Sequence, residues 1–534
     1  MKRLVLLAIV IVLCASSFAQ EKVAYNGKEW RRKQNREEFA LMIKGKPDEA
    51  IKHMEDFLKS GKADTAEVVF GLSVAHFIKG DVKNGTAWFS RALGAGIAVE
   101  RFMAGPRDIF KPLYTSKVFK RAVGTHELIH GPMLGAVTDT EARVWIRTFH
   151  EVEFKVSIAT DMAMKNVIGS FIGTTAEEDD FTGIAQITEL KAKTKYYYTL
   201  EVQGKRIEGT HHFTTFAKEG SKGKVRIGFG GCAAYNPEFE HMWKVIENRN
   251  PDAFLILGDN VYIDHPESPE TQRFCYYQRE SSPHFKSMTS NIPYYSVWDD
   301  HDFGANDAFG GPERFTPSWK LKVHDIYKEN FVNPSYGGGK ENPGIWYNFT
   351  IGDVEFFMID TRYYRTSSNA KQPNMLGTYQ MEWLKKTLKE STATFKVIVS
   401  SIPWSDAAKD AMDGRYDTWR GYPEERKEIF DYLTANKIEG VILLAADRHR
   451  HDVWKHKREN DYALYEFTSS RLTNIHYHEL RKDALFGYNE KNGFAVLEFE
   501  TDRKVPVLTY KIINIDNELI NQIKVYYHQI QTPK

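Results

Sequence analysis

Three successive patterns of apolar and polar positions divide the chain. From about Glu37 to Leu93 apolar residues recur every three or four positions, as on one face of a helix, with Gly45 and Gly80 as breaks. GKPDEAIKHMEDFL begins at Gly45 and GDVKNGTAWFSRAL at Gly80, an offset of 35 positions. From about Leu128 to Phe216 the period drops to two, as in ARVWIR (142–147) and KYYYTLE (195–201), which predicts half-buried strands joined by turns. AKEGSKGK (217–224) is polar and glycine-bearing, as a linker is. From Val225 onward short apolar runs alternate with amphipathic stretches: VRIGF (225–229), AFLILG (253–258), YYSVW (294–298), VEFFMID (354–360), FKVIVSS (395–401) and GVILLAA (440–446). Such runs read as strands buried on both faces. GTYQMEWLKKTLKE (377–390) and EERKEIFDYLTANK (424–437) supply helices between them, so the predicted class is α/β, with a β-rich tail from FAVLEFE at 494 and PVLTYKII at 506.

The 35-residue offset with paired amphipathic helices resembles tetratricopeptide-type repeats. Two such units rarely stand alone, so the helical segment, 20–127, is expected to pack on a neighbour, either as a cap or as a surface for a protein partner. ELKAKTKYYYTLEVQG resembles a fibronectin type III module, which makes 128–216 a small β-sandwich. At 534 residues the chain has room for several domains, and 42% hydrophobic with 27% charged residues is a globular composition. Lys+Arg (72) and Asp+Glu (71) nearly cancel, which removes the broad positive field of a nucleic-acid or anionic-membrane binder. Residues 1–19 join Lys2 and Arg3 to a short apolar run and the small residues Ser17 and Ala19, which predicts a secretory signal. The run is too short to span a bilayer and no later stretch qualifies, so the product is expected in the periplasm, at the cell surface or outside the cell. Leu13 before Cys14 speaks against a lipid anchor. Past the signal only Cys232 and Cys275 remain; one structural bridge is the plain reading in an oxidising compartment, but the setting of Cys232 argues for another role.

The polar residues of the last segment sit immediately after its apolar runs. Gly231-Cys232 follows the first, Asp259-Asn260-Val261-Tyr262 the second, Asp299-Asp300-His301-Asp302 the third and Asp447-Arg448-His449 the last. In α/β sheets ligand sites collect at the carboxyl ends of strands, so the four clusters are expected to share one site. Thiolate, phenolate and imidazole suit a transition metal such as Fe³⁺, whereas carboxylates suit a hard divalent ion such as Ca²⁺. Asp259 could bridge two ions, leaving Cys232, Tyr262 and His449 for one and Asp300 and Asp447 for the other. Each residue also has a plainer reading: Tyr262 as a core aromatic, the histidines as buried and satisfied, Arg362 and Arg448 as surface salt-bridge partners rather than phosphate clamps. Asp299 and Asp302 fit best as partners that orient Asp300 or His301, and His451 and Asn306 remain candidate site contacts.

The ordered strings GGC, GDNVY, WDDHD and ADRH, with IDTRYYR (359–365) and DTWRGYPEER (417–426), resemble the PhoD-like phosphatases of the calcineurin-like and purple-acid metallophosphoesterase superfamily. The resemblance implies a four-layer α/β/β/α sandwich over 225–534. It implies Asp259 as the metal-bridging carboxylate, Tyr262 and Cys232 as iron ligands, and Asp447 and His449 as ligands from the final motif. Asp300 stands where the superfamily has an Asn ligand, and His301 matches its catalytic histidine. It further implies a binuclear or larger centre of Fe³⁺ plus Ca²⁺, with Zn²⁺, Mn²⁺ or Mg²⁺ as other occupants. Two departures stand out: Ala446 replaces the usual Gly before Asp447, and Gly231 stands where Ser often precedes Cys232.

The function expected is therefore hydrolysis of small phosphate monoesters or diesters, with His301, Asp300 and Arg362 at the reacting group and a metal-activated water as nucleophile. Two rivals are a secreted interaction protein on a non-catalytic phosphatase fold and a metal-independent hydrolase using Cys232 as nucleophile.

Overall fold

The computed structural model describes residues 35–60, 65–406 and 415–533, so the secretory signal expected over 1–19 lies outside the described residues. The first unit is helical. Its helices run Arg36–Ile43, Pro47–Ser60, Thr65–Ile78, Val82–Gly94, Val99–Ala104, Arg107–Tyr114 and Lys117–Val123. Gly45 and Gly80, which punctuate the sequence pattern, both have φ in the left-handed region (72° and 84°), where a helix is ended without steric penalty by glycine. Asp81 then caps the next helix, its carboxylate accepting from the Asn84 amide at 3.1 Å. Gly85 lets that helix lie against its predecessor, since a Cβ there would come within 2.9 Å of the Phe77 ring.

The helical unit does not stand away from the rest. Phe39 stacks on Phe274 at 4.2 Å, and Gln278 donates to Glu67 at 2.8 Å, so the helices pack on the helix Pro269–Glu280 of the last unit.

Residues 128–214 form two antiparallel sheets. One has three strands, ordered Leu128–Gly135, Ala142–Thr148 and Thr182–Ile187. The other carries Val167–Thr174, Glu153–Ala159, Lys195–Val202 and Lys205–Arg206, with His211–Thr214 also pairing to Lys195–Val202. Alternate residues such as Val144, Ile146, Val156, Ile158 and Tyr198 fill the space between them. Polar anchors tie this unit to the last one: Trp145 Nε1 donates to the Glu329 carbonyl (3.1 Å) and Tyr198 Oη to that of Ser290 (2.7 Å). The linker is anchored too, with paired backbone hydrogen bonds between 217–220 and Gly352.

The last unit is built on two mixed sheets. The first is ordered Tyr294–Val297, Ala253–Leu257, Lys224–Gly230, Gly493–Glu500, Val507–Asn514 and Leu519–Tyr526, parallel among its first three strands. The second is ordered Tyr347–Ile351, Val354–Met358, Phe395–Val399, Val441–Ala445, Asp461–Ser469, His451–Arg458 and Phe486–Tyr488, parallel from Val354–Met358 to Asp461–Ser469. The sheets meet through Phe395 against Phe499 (5.1 Å) and Phe467 against Tyr510 (4.4 Å). The six apolar runs become strands of the two sheets, with Tyr294–Val297 at an edge of the first and the runs within 253–257, 354–358, 395–399 and 441–445 fully buried, and their carboxyl ends bring the four polar clusters to one edge.

Candidate metal centre

Three of the four clusters are presented by strained backbone at the end of a buried strand. Cys232, Asp259, Asp447 and His449 all have positive φ (60°, 49°, 63° and 48°), a conformation rare for residues with a Cβ. Gly258 makes one of these turns feasible, because a Cβ there would lie 2.4 Å from the Cβ of Asp299. Hydrogen bonds lock the loops to one another. Asp302 accepts from the amides of Val261 and Asp299 and from the Asn260 side chain, each at 3.0 Å, so it fastens the second cluster to the third. The expectation of an orienting partner thus fits Asp302, and Asp299 serves likewise by accepting from Ser401 Oγ (2.8 Å) and Arg362 Nε (2.6 Å).

The convergence is tight. Cys232 Sγ, a carboxylate oxygen of Asp259 and a ring nitrogen of His449 lie within 4.8 Å of one another; so do donor atoms of Asp259, Asp300 and His301. Asp259 is common to both groups. The Tyr262 hydroxyl is 2.8 Å from Asp259 Oδ2 and 3.4 Å from His449 Nε2, and His449 Nδ1 is committed to the His476 carbonyl at 3.0 Å, which aims Nε2 into the site. Asp447 is beside Cys232, its carbonyl 3.6 Å from the sulfur, but its carboxylate turns to Arg448 Nε at 3.0 Å and joins neither group.

The donor set fits cations. Asp259 Oδ1 is buried without a hydrogen-bond partner, an arrangement costly for a carboxylate unless a cation meets it. Burial, then neighbouring acidic groups, pushes the Cys232 thiol and the Tyr262 phenol well above their usual ranges, and burial does the same to the Asp259 carboxyl, with His301 opposing and Asp300, Asp299 and Asp302 adding to the rise. For Asp447 burial raises and the Arg448 guanidinium opposes, with the net shift also well upward. His449, by burial and by the nearby His476 and His478, is held neutral, the form that ligates.

Three groups escaped the sequence reading. Asp264 Oδ1 is 2.5 Å from His301 Nδ1. Burial works against its ionisation, yet His301 and Arg36 outweigh burial and hold this carboxyl below the usual range. Burial lowers the His301 pKa, but Asp264, then Asp300 and Asp259, outweigh it and raise His301 well above its ordinary value. Asp307 and Asp417 form a third acidic group with Asp300, again within 4.8 Å, and the Asp307 amide donates to Asp300 Oδ2 at 2.6 Å. Asp417 opens a run that the family resemblance had already singled out; Asp264 and Asp307 had no such signal.

Some candidates sit elsewhere or act otherwise. Arg362 is not a phosphate clamp: it is fully buried, with Nε on Asp299 and Nη1 and Nη2 on Asp417 at 2.7 and 3.1 Å, because two buried carboxylates require a cation between them. Arg448 likewise turns inward to the Asp417 carbonyl (3.0 Å), His451 is buried against Tyr488 and Gly493, and Asn306 is exposed. Cys232 and Cys275 are both buried free thiols, not a bridge.

The fold of the two mixed sheets is shared with solved phosphatase structures. A solved structure of PhoD superposes with a TM-score of 0.62 at 17% identity, covering 74% of this chain and 88% of that one. A purple acid phosphatase from yellow lupin (Lupinus luteus) seeds gives 0.55 at 13% identity, covering 74% of each chain. Residues 227–482, which contain all four clusters, match the PhoD-like phosphatase family, a family of phosphoric ester hydrolases. A curated relative is alkaline phosphatase D of Bacillus subtilis (strain 168), 23% identical over 326 residues that cover 53% of this chain and 55% of that protein. The chain thus spans about half the length of the curated relative it matches. Residues 125–218, the two-sheet unit, match a family described only as a domain of unknown function, DUF7800.

Proposed function

We propose that this chain is an exported phosphoesterase that hydrolyses phosphate monoesters or diesters at the centre around Asp259. The observation that carries the reading is the meeting of Cys232, Asp259, Tyr262, Asp300, His301 and His449 from three separate loop clusters and the turn after Lys224–Gly230, around one carboxylate common to two donor groups. Cys232, Tyr262 and His449 would hold Fe³⁺, Asp300 a hard divalent ion such as Ca²⁺, and Asp259 both, with Asp447 joining when its carboxylate swings from Arg448. When bound, such a pair supplies a water acidified to neutral pKa and neutralises charge at phosphorus.

The chain's own residues do the rest. His301 is partly open to solvent (15% exposed), fixed at Nδ1 by Asp264, so its Nε2 is the atom that gives a proton to the departing oxygen. Arg362 and Asp302 hold the Asp299–His301 turn against the neighbouring loops. A four-layer reading of the last unit is supported by the two facing sheets, and the sequence of residues 1–19 supports export. No helix among the described residues is long and apolar enough to cross a membrane. The helical unit, packed on the catalytic unit by Phe39 and Phe274, favours a cap over a free partner surface.

A cysteine-nucleophile mechanism finds no support, since burial and the carboxylates of Asp259, Asp447 and Asp299 disfavour the Cys232 thiolate. Assaying purified chain on one monoester and one diester, with iron, calcium, manganese or zinc, tests the proposal. Activity on at least one ester, abolished by chelation, is expected; activity indifferent to chelators but lost on thiol alkylation would overturn it in favour of Cys232.

A further inference from the structure

Arg36 opens the first described helix of the N-terminal unit, well outside the span that matches the phosphatase family. It is nonetheless buried in the catalytic unit. Its Nη1 lies 2.6 Å from Asp264 Oδ2 and 2.6 Å from the Tyr262 carbonyl. The other oxygen of Asp264 faces His301 Nδ1 at 2.5 Å. The Asp264 carboxylate is therefore divided between a guanidinium from one unit and an imidazole from another.

We propose that Arg36 is a positioning residue of the active site, through which the helical unit fixes the orientation of His301 by way of Asp264. The inference rests on the phosphoesterase reading and adds to it a role for a segment that the family match leaves out. Three features make the geometry specific. Asp264 has a φ of 54°, so its side chain is presented by a strained turn that depends on outside contacts to persist. Arg36 grips both ends of that turn, the Tyr262 carbonyl and the Asp264 carboxylate, so the loop that bears the ligand Tyr262 is held together with the carboxylate that reaches across to His301. The stack of Phe39 on Phe274 sets the position of the helix itself. Without the guanidinium, Asp264 Oδ2 loses its cation and the carboxylate can rotate away from Nδ1. The imidazole then samples orientations in which Nε2 no longer meets the departing oxygen, and small misplacement of a proton donor is costly.

The role predicts a signature that a merely stabilising contact lacks. A proton donor matters most when the leaving group is a poor one. Arg36→Met should lower kcat on an alkyl phosphate by about 10- to 100-fold, part of the 10²–10⁴ available to general acid catalysis, and by less than about threefold on a nitrophenyl ester. KM and metal content should stay near wild type, and Arg36→Lys should recover much of the loss. To separate this from misfolding, Arg36→Met is repeated in an Asp264→Asn background, where the charge pair is removed as a unit. There the Arg36 substitution should add no further loss. Equal losses on both esters, or additive losses in the double variant, overturn the role of Arg36 while leaving the phosphoesterase intact. A wild-type chain inactive on both esters with every metal overturns the phosphoesterase reading itself.

Discussion

A Cβ placed on Gly231 would lie 2.6 Å from the Cβ of Ala446, so the residue before Cys232 and the residue before Asp447 share one space that admits only one methyl group. In the related phosphatases Ser often precedes the Cys and Gly usually precedes the Asp. Here the two are exchanged, small for large, and the two departures read as one compensated change. Gly231→Ser should therefore destabilise the fold by about 1–3 kcal/mol through overpacking. Adding Ala446→Gly should recover most of that loss. Urea unfolding of the two single variants and the double reads the coupling; additive effects would remove the explanation.

The His301–Asp264 pair sets a pH dependence. Burial alone would lower the His301 pKa, but Asp264, Asp300 and Asp259 raise it well above the ordinary histidine value. A step that needs protonated His301 is fully available below that raised value and is lost as pH rises through it. Asp264→Asn removes a hydrogen bond and the leading raising charge, so the alkaline limb of the kcat profile should move to lower pH. An unmoved limb, measured on an alkyl ester, would show that His301 is not the proton donor.

The site was legible in the sequence where local pattern and chemistry coincide. Cys232, Asp259, Asp300 and Asp447 each follow a short apolar run, and such runs become buried strands whose ends gather at one edge. Asp264 was illegible because its meaning depends on Arg36, 228 positions earlier, and on a strained turn that no periodicity reports. Arg362 was misread for a related reason: an Arg after a strand suits a phosphate clamp, and only the distant Asp417 shows where its donors go. Pairing order was equally hidden. Gly493–Glu500 inserts beside Lys224–Gly230, so the tail completes the first sheet, a long-range contact set by tertiary packing rather than by local propensity.

Arg362 bears a stability prediction of its own. It is the cation between Asp299 and Asp417, both buried, and its removal would leave Asp299 without a cation and Asp417 with Arg365 alone. Arg362→Met should cost about 3–5 kcal/mol, the range for breaking a buried pair from one side. A denaturant midpoint within experimental error of wild type would mean that these carboxylates are protonated and need no partner.

Tyr262 offers an optical check of the metal assignment. A phenolate on Fe³⁺ absorbs visible light by charge transfer, so the iron-loaded chain should be coloured and Tyr262→Phe should bleach it. The Cys232→Ser variant should shift the band and lower iron retention, since a hydroxyl is a poorer ligand than a thiolate. Colour that survives Tyr262→Phe would place the phenol outside the iron's coordination.

Asp259 is the carboxylate on which both donor groups converge, and metal content per chain tests it most directly. Elemental analysis of the purified wild type should find at least two metal ions per chain, falling below one in Asp259→Asn together with loss of ester hydrolysis. Equal metal content and equal hydrolysis in the two proteins would contradict the account.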